Sequence, residues 1–248
     1  LFKKISIIGS GNVASLISKR LNSSGIEIRN IYSRNISNAL SLASYVGAKA
    51  LKDIKAISQN SDLIIVAVND DALSIVSEQL GSINCPIVHT SGQIGMEVFQ
   101  SNSLSFGKMY PLQSITKNTK EEVEIPMCIC GNNQLFVQNL HNFSKMFFAN
   151  SIVIQEEKFQ YLHLSAVLVN NFTNALYTQA FEILKEQDMD FEILKPLVNE
   201  TIQRIGDENP KEMQTGPAIR NDLKTMESHL NLLNKLNKSE LVEVYQIL

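Results

Sequence analysis

Gly9, Gly11 and Ala14 stand at the spacing G-x-G-x-x-A, between a short apolar run, Ile5 to Ile8, and a stretch of helical periodicity that places Val13, Leu16, Ile17 and Leu21 on one face. A strand, a glycine turn and a helix in that order have a specific chemical use. The first glycine permits the tight bend, the second lets backbone approach a pyrophosphate, and the alanine lets the helix lie close to the sheet. The helix start then offers free N–H groups and a positive dipole end to the phosphates. Gly9, Ser10, Gly11, Asn12 and Val13 are therefore the expected pyrophosphate-binding residues.

The end of the next strand meets the adenosine ribose in such folds, about 20 residues past the glycines. An acid there favours NAD. This chain has Ser33-Arg34-Asn35 instead. A hydroxyl followed by a guanidinium suits a 2′-phosphate, which points to NADP(H) as cofactor. Glu27, the only acid of that strand, lies too early to reach the ribose. Val68 and Asn69, at the end of the strongest apolar run, and His89, at the end of the next, are expected to line the cofactor. His89 reads equally as a strand-end histidine bonded to backbone. Asp70 fits the N-cap of the helix that carries Leu73, Val76 and Leu80.

The elements that position these residues are legible in order. Strands are expected at Ile26–Tyr32, 48–51, 61–68, 85–88, 105–110, 126–130 and 151–154, with helices between most of them and no hairpin dipeptides. That alternation predicts an α/β fold, a Rossmann doubly wound and mostly parallel sheet, followed by an all-α C-terminal domain. The boundary is drawn where strands cease: 1–154 for nucleotide binding and 155–248 for the helical domain of dimerisation and substrate binding. A helix from about Glu156 to Lys185 is apolar nearly all round, and so is expected to be buried between domains or at a subunit interface. On it His163, Asn170 and Asn174 share one stripe, with Asn171 beside them. This strip either bonds to other helices or faces the nicotinamide. Asp190 is expected to cap a helix running to Ile205. Pro217 suits the first turn of a helix with Asp222, Thr225 and His229 on one face.

Bulk properties exclude several functions. Of 248 residues, 44% are hydrophobic and 19% charged, with a net charge of −3. That gives no general attraction to nucleic acid or to an anionic membrane. Three cysteines imply no disulfide framework. Cys128 and Cys130 are expected to share one strand face as reduced core thiols, and no metal-ligand spacing stands out. Glycines interrupt the apolar start too early for a signal peptide, and no run is long enough to cross a bilayer, so a cytoplasmic location is expected.

Further residues carry a family resemblance: His89-Thr90-Ser91-Gly92, Tyr110-Pro111-Leu112-Gln113, His163 with Ala166-Val167 and Asn171, and then Thr215-Gly216-Pro217, Arg220, Asp222, Thr225 and His229-Leu230. Together with the glycine turn, the chain resembles Rossmann-like oxidoreductases whose helical C-terminal domain has no assigned function. These are similar to pyrroline-5-carboxylate reductase and to the deazaflavin-dependent NADP oxidoreductases. The resemblance implies an NADP-type cofactor, a two-domain subunit and a homodimer made through the C-terminal helices. It supplies no substrate. Related hydroxyacid dehydrogenases place a lysine one turn before an asparagine of the long helix. Here residue 167 is Val, and no lysine occurs between Lys158 and Lys185, which argues against lysine-assisted carbonyl reduction.

The expected function is hydride transfer between NADP(H) and an imine or carbonyl of a small molecule. His163 is the candidate proton donor and Asn171 the candidate orienting group. Ser91, Asn170, Asn174, Arg220 and His229 are candidate substrate contacts. The alternative is a non-catalytic NADP(H)-binding sensor or regulatory module, motivated by the lack of a convincing acid–base pair. A methyltransferase using S-adenosylmethionine shares the glycine turn but leaves Arg34 unexplained.

Overall fold

A computed structural model describes residues 2–57, 60–148, 150–205 and 209–248. Among the described residues eight strands form one sheet: β1 (Lys4–Ile8), β2 (Glu27–Tyr32), β3 (Lys49–Leu51), β4 (Leu63–Val66), β5 (Ile87–His89), β6 (Phe106–Pro111), β7 (Met127–Gly131) and β8 (Ile152–Val153). Their spatial order is β3-β2-β1-β4-β5-β6-β7-β8. Neighbours run parallel except at β6 and β7, which are antiparallel. The ends of β1, β2, β4, β5 and β6 therefore gather along one edge, where open parallel sheets collect their ligands.

Helices cover both faces. α1 (Asn12–Ser23), α2 (Ile36–Val46) and α4 (Gln134–Lys145) bury Ile17, Leu21, Leu42, Val46, Phe136 and Phe143 against Ile5, Ile7, Ile31, Leu63, Ile65 and Ile129. α3 (Leu73–Leu80) covers the other face, packing Leu73, Val76 and Leu80 on Ile8, Ile64, Val66 and Ile87. β1 and β4 thus alternate between two apolar faces, which is why their sequence reads as unbroken hydrophobic runs. Cys128 and Cys130 do share a face, against Phe159. Burial holds both thiols in the protonated form, pushing that of Cys128 up to about 11.

Two local expectations fail for physical reasons. Asp70 does not cap α3. A 3-10 turn, Asp70–Ala72, comes first, so Ala72 is the residue before the helix and no side chain caps it. Pro217 does not open the helix that follows it either. α8 (Leu223–Lys235) starts later, where the Asp222 side chain accepts hydrogen bonds from the Thr225 N–H and hydroxyl. A local cap outweighs a favourable proline.

The chain divides into two compact units, Leu1–Asn170 and Asn171–Leu248. The first holds the sheet, α1 to α4 and α5 (Phe159–Ala166). The second holds α6 (Thr173–Lys185), α7 (Lys195–Arg204), α8 and α9 (Ser239–Ile247). Asp190 caps the 3-10 turn Phe191–Leu194 that leads into α7. Within this unit Lys238 pairs with Glu182 and Glu186 at 3.0 and 3.2 Å.

The long apolar helix is divided. A 3-10 turn, Glu156–Lys158, precedes α5, and a π-helical stretch, Val167–Phe172, separates α5 from α6. Among the described residues of this stretch Phe159 alone is fully buried, while Tyr161 is 66% and Val169 74% exposed. No helix among the described residues is long and apolar enough to cross a membrane.

Candidate active site

At the sheet edge a cavity of about 390 Å³ is lined by Gly9, Ser10 and Gly11, by Ser33, Arg34 and Asn38, and by Val68, Asn69, Ile75 and Gln79. The two glycines earn their places differently. Gly9 has φ +124°, and a Cβ there would lie 2.0 Å from the Ala67 carbonyl oxygen at the end of β4. Its constraint is internal, because the turn must pass tightly over the neighbouring strand. Gly11 has φ −75°, which suits any residue, and a Cβ there would meet nothing within 4 Å. Neither backbone nor packing requires glycine at that point, whereas close approach of a pyrophosphate does. Gly11 is also the N-cap of α1 and offers no side-chain cap, which leaves the first-turn N–H groups free for an anion.

At the ribose end Ser10 Oγ donates to Ser33 Oγ at 2.8 Å. Arg34 is exposed, and among the described residues no carboxylate pairs with it. Glu27 is engaged with Arg29 at 2.7 Å. The Asn35 side chain accepts from the Ser37 N–H and caps α2, so Asn38, one turn along, lines the cavity where Asn35 was expected. Asn12 turns its amide to the Ile115 carbonyl at 3.2 Å, and Val13 packs into the core. Of the expected cofactor residues, Gly9, Ser10, Gly11, Ser33, Arg34, Val68 and Asn69 line the cavity.

His89 does not line it. It is fully buried against Phe99, and its Nδ1 accepts from the Ser91 N–H at 3.3 Å. Burial, then the nearby Lys108 charge, lowers its pKa to about 4, so the ring is neutral at physiological pH. Ser91 Oγ in turn accepts from the N–H groups of Gln93 and Ile94 at 3.1 and 3.0 Å. His89 and Ser91 thus build the turn that presents Gly92.

That turn abuts a pair the sequence did not assemble. Tyr110 Oη, at the end of β6, lies 3.1 Å from His163 Nδ1 on α5, with the ring centroids 5.9 Å apart. A Cβ on Gly92 would come within 2.9 Å of both His163 Nδ1 and Tyr110 Cζ, so glycine is what lets the pair close against the turn. Burial raises the Tyr110 pKa, helped by Cys128 and Asp70, and the phenol stays protonated. The loop after β6 is held nearby: Asn170 donates to Ser114 Oγ, Asn12 donates to Ile115, and the Arg20 guanidinium donates to the carbonyls of Glu121 and Val123.

Beneath the pair is a buried polar node that sequence reasoning missed. Lys108, 1% exposed, points its Nζ at Glu156 Oε1, 3.1 Å away, and over the Phe159 ring at 4.5 Å. Glu156 also accepts from the Met96 N–H at 3.1 Å and from the Cys130 thiol at 2.7 Å. The node fastens the start of the α5 segment to β6 and β7.

The remaining candidates lie in the second unit. Asn171 and Asn174 are exposed, and the Asn174 carbonyl accepts from Thr178. Arg220 is exposed, and His229 Nδ1 is 2.7 Å from Tyr245 Oη. The π stretch falls between His163 and Asn174, so the 3.6-residue spacing that puts them on one stripe does not hold across it.

Against this geometry, the family model for F420-dependent NADP oxidoreductases matches residues 4–88. The model for a domain of unknown function, DUF2520, matches residues 125–248, half of the chain. A solved Bacteroides fragilis structure classed as an NADP oxidoreductase is 31% identical, covers 99% of this chain and 95% of its own, and superimposes with a TM-score of 0.88. The chain belongs to the NADP oxidoreductases that carry a DUF2520 domain. No curated protein matches it. This NADP oxidoreductase also shares its fold with more distant structures. A 1-pyrroline-5-carboxylate reductase from Streptococcus pyogenes is 16% identical over 97% of this chain and 94% of its own, with a TM-score of 0.66. An imine reductase from Myxococcus stipitatus, solved with NAD+, is 15% identical over 98% and 92%, also at 0.66. NADP(H) is the cofactor of the NADP oxidoreductase, and the open backbone at Gly11 and the exposed Arg34 fit it.

Proposed function

We propose that the protein moves a hydride between NADP(H) and a C=N or C=O carbon of a small molecule. The observation that carries the reading is the cavity itself: a helix start with no side-chain cap, a glycine that no described neighbour requires, and at the far end an arginine with no carboxylate partner among the described residues. Arg34 and Ser33 would hold the 2′-phosphate, the first N–H groups of α1 the pyrophosphate, and Val68 and Asn69 would border the path to the nicotinamide. When bound, NADPH supplies hydride from the nicotinamide C4. His163 is the proposed proton-handling group, and its contact with Tyr110 supports the catalytic reading over that of a sensor without chemistry. Asn171 is proposed as the group that orients the substrate. The pyrroline-5-carboxylate and imine reductases of like fold make a cyclic imine a reasonable first probe.

The exposed apolar residues of α5 and α6, among them Tyr161, Leu164 and Phe181, support a homodimer made through these helices. A monomer in light scattering at micromolar concentration would contradict it. The cofactor reading is tested at Arg34. Losing a charge-assisted phosphate contact costs about 1.5–3 kcal/mol, or roughly 10- to 100-fold in affinity. Arg34→Ala should therefore weaken NADPH binding by that factor and leave NADH binding nearly unchanged, as calorimetric titration would show. An unaltered preference between the two would remove the Ser-Arg argument.

A further inference from the structure

Tyr110 is the last residue but one of β6, on the same sheet edge as Asn69 and the glycine turn, and its hydroxyl meets His163 at 3.1 Å. With Nδ1 turned to the phenol and walled by Gly92, that nitrogen is closed to a substrate. Lys108, two residues earlier on the same strand face, is held by Glu156 below the surface and is not available as a donor. We propose that Tyr110 is the residue that hands the proton to the substrate, and that His163 stands behind it as the proton supply. The inference rests on the oxidoreductase reading above and assigns its acid.

The step balances without a further reactant. The Tyr110 Oη–H bond breaks as an O–H or N–H bond forms on the substrate heteroatom. Oη takes the Nδ1 proton of a protonated His163, which is left neutral and regains a proton from water. A phenol that is half-buried and near the Asp70 carboxylate keeps its proton until a strongly basic alkoxide or amide nitrogen develops beside it.

The test uses the full chain labelled with [13Cζ]tyrosine, the Tyr110 resonance being assigned by its loss in Tyr110→Phe. NADPH binding is followed separately by its fluorescence. Saturation with NADP+ should move the Tyr110 resonance, whereas 2′,5′-ADP, which lacks the nicotinamide, should not. His163→Gln should shift the same resonance while changing the NADPH Kd less than about threefold. On any ketone, aldehyde or cyclic imine of a probe panel that is turned over, Tyr110→Phe should lower kcat about 100-fold or more at unchanged Kd for NADPH. An unmoved Tyr110 resonance in protein that binds NADP+, or a kcat within threefold of wild type, overturns the assignment and leaves the oxidoreductase reading standing. Failure to bind NADPH overturns both.

Discussion

Gly9→Ala should destabilise the chain by about 3 kcal/mol or more and abolish NADPH binding, because two penalties fall on one methyl group. The residue sits at φ +124°, where an L side chain is strained, and the new Cβ would overlap the Ala67 carbonyl oxygen at 2.0 Å. That oxygen belongs to backbone at the end of β4, so it cannot swing aside as a flexible side chain would. Relief requires β1 and β4 to separate at the ligand edge. Gly11→Ala is the control. Its Cβ has open space and an ordinary φ, so the melting temperature should stay within about 2 °C while NADPH affinity falls roughly tenfold. Thermal melts and NADPH titrations of the two variants check both statements. A Gly11→Ala protein that binds NADPH as wild type does would remove the pyrophosphate from that spot.

Glu156→Gln should be nearly as costly. It leaves the Lys108 ammonium, almost wholly buried, without the carboxylate that compensates it. Breaking a buried pair from one side costs roughly 3–5 kcal/mol, and the partial exposure of Glu156 places this case at the lower end. Lys108→Met should cost less, since Glu156 keeps the Met96 N–H, the Cys130 thiol and some contact with water. The double variant should recover part of the loss of Glu156→Gln, giving a clear coupling energy in urea melts. Additive effects would show that the two charges do not depend on each other. The node matters to function because it seats the helix segment that brings His163 to Tyr110.

The glycine turn and the succession of strands and helices in the first half were legible because local rules govern them. β1 and β4 announce themselves as two-sided apolar runs, and Gly9, Gly11 and Ala14 mark the strand-to-helix switch between β1 and α1. The reaction site was less legible, because its contacts join distant segments. Lys108 looks like an ordinary polar residue in a strand, and nothing near it in sequence points to Glu156. Tyr110 and His163 were both recognisable as matching residues, yet only the pairing of β6 with α5 brings their side chains together. Ser91 and Asn35 read as ligand contacts by position, and His89 as either such a contact or a strand-end histidine bonded to backbone; all three side chains accept a backbone N–H, since a polar side chain at a strand or helix end often finds one nearby first. The π stretch had no periodic signature, so the polar stripe drawn at 3.6 residues per turn crosses a place where that period fails.

A crystal structure of the protein with NADPH bound would decide where the cofactor lies. The 2′-phosphate should rest against Ser33 and Arg34, the pyrophosphate over Gly11 at the first turn of α1, and the nicotinamide should run past Asn69 toward Tyr110. A dinucleotide absent from that cavity at saturating NADPH, or one whose 2′-phosphate points away from Arg34, would contradict this placement.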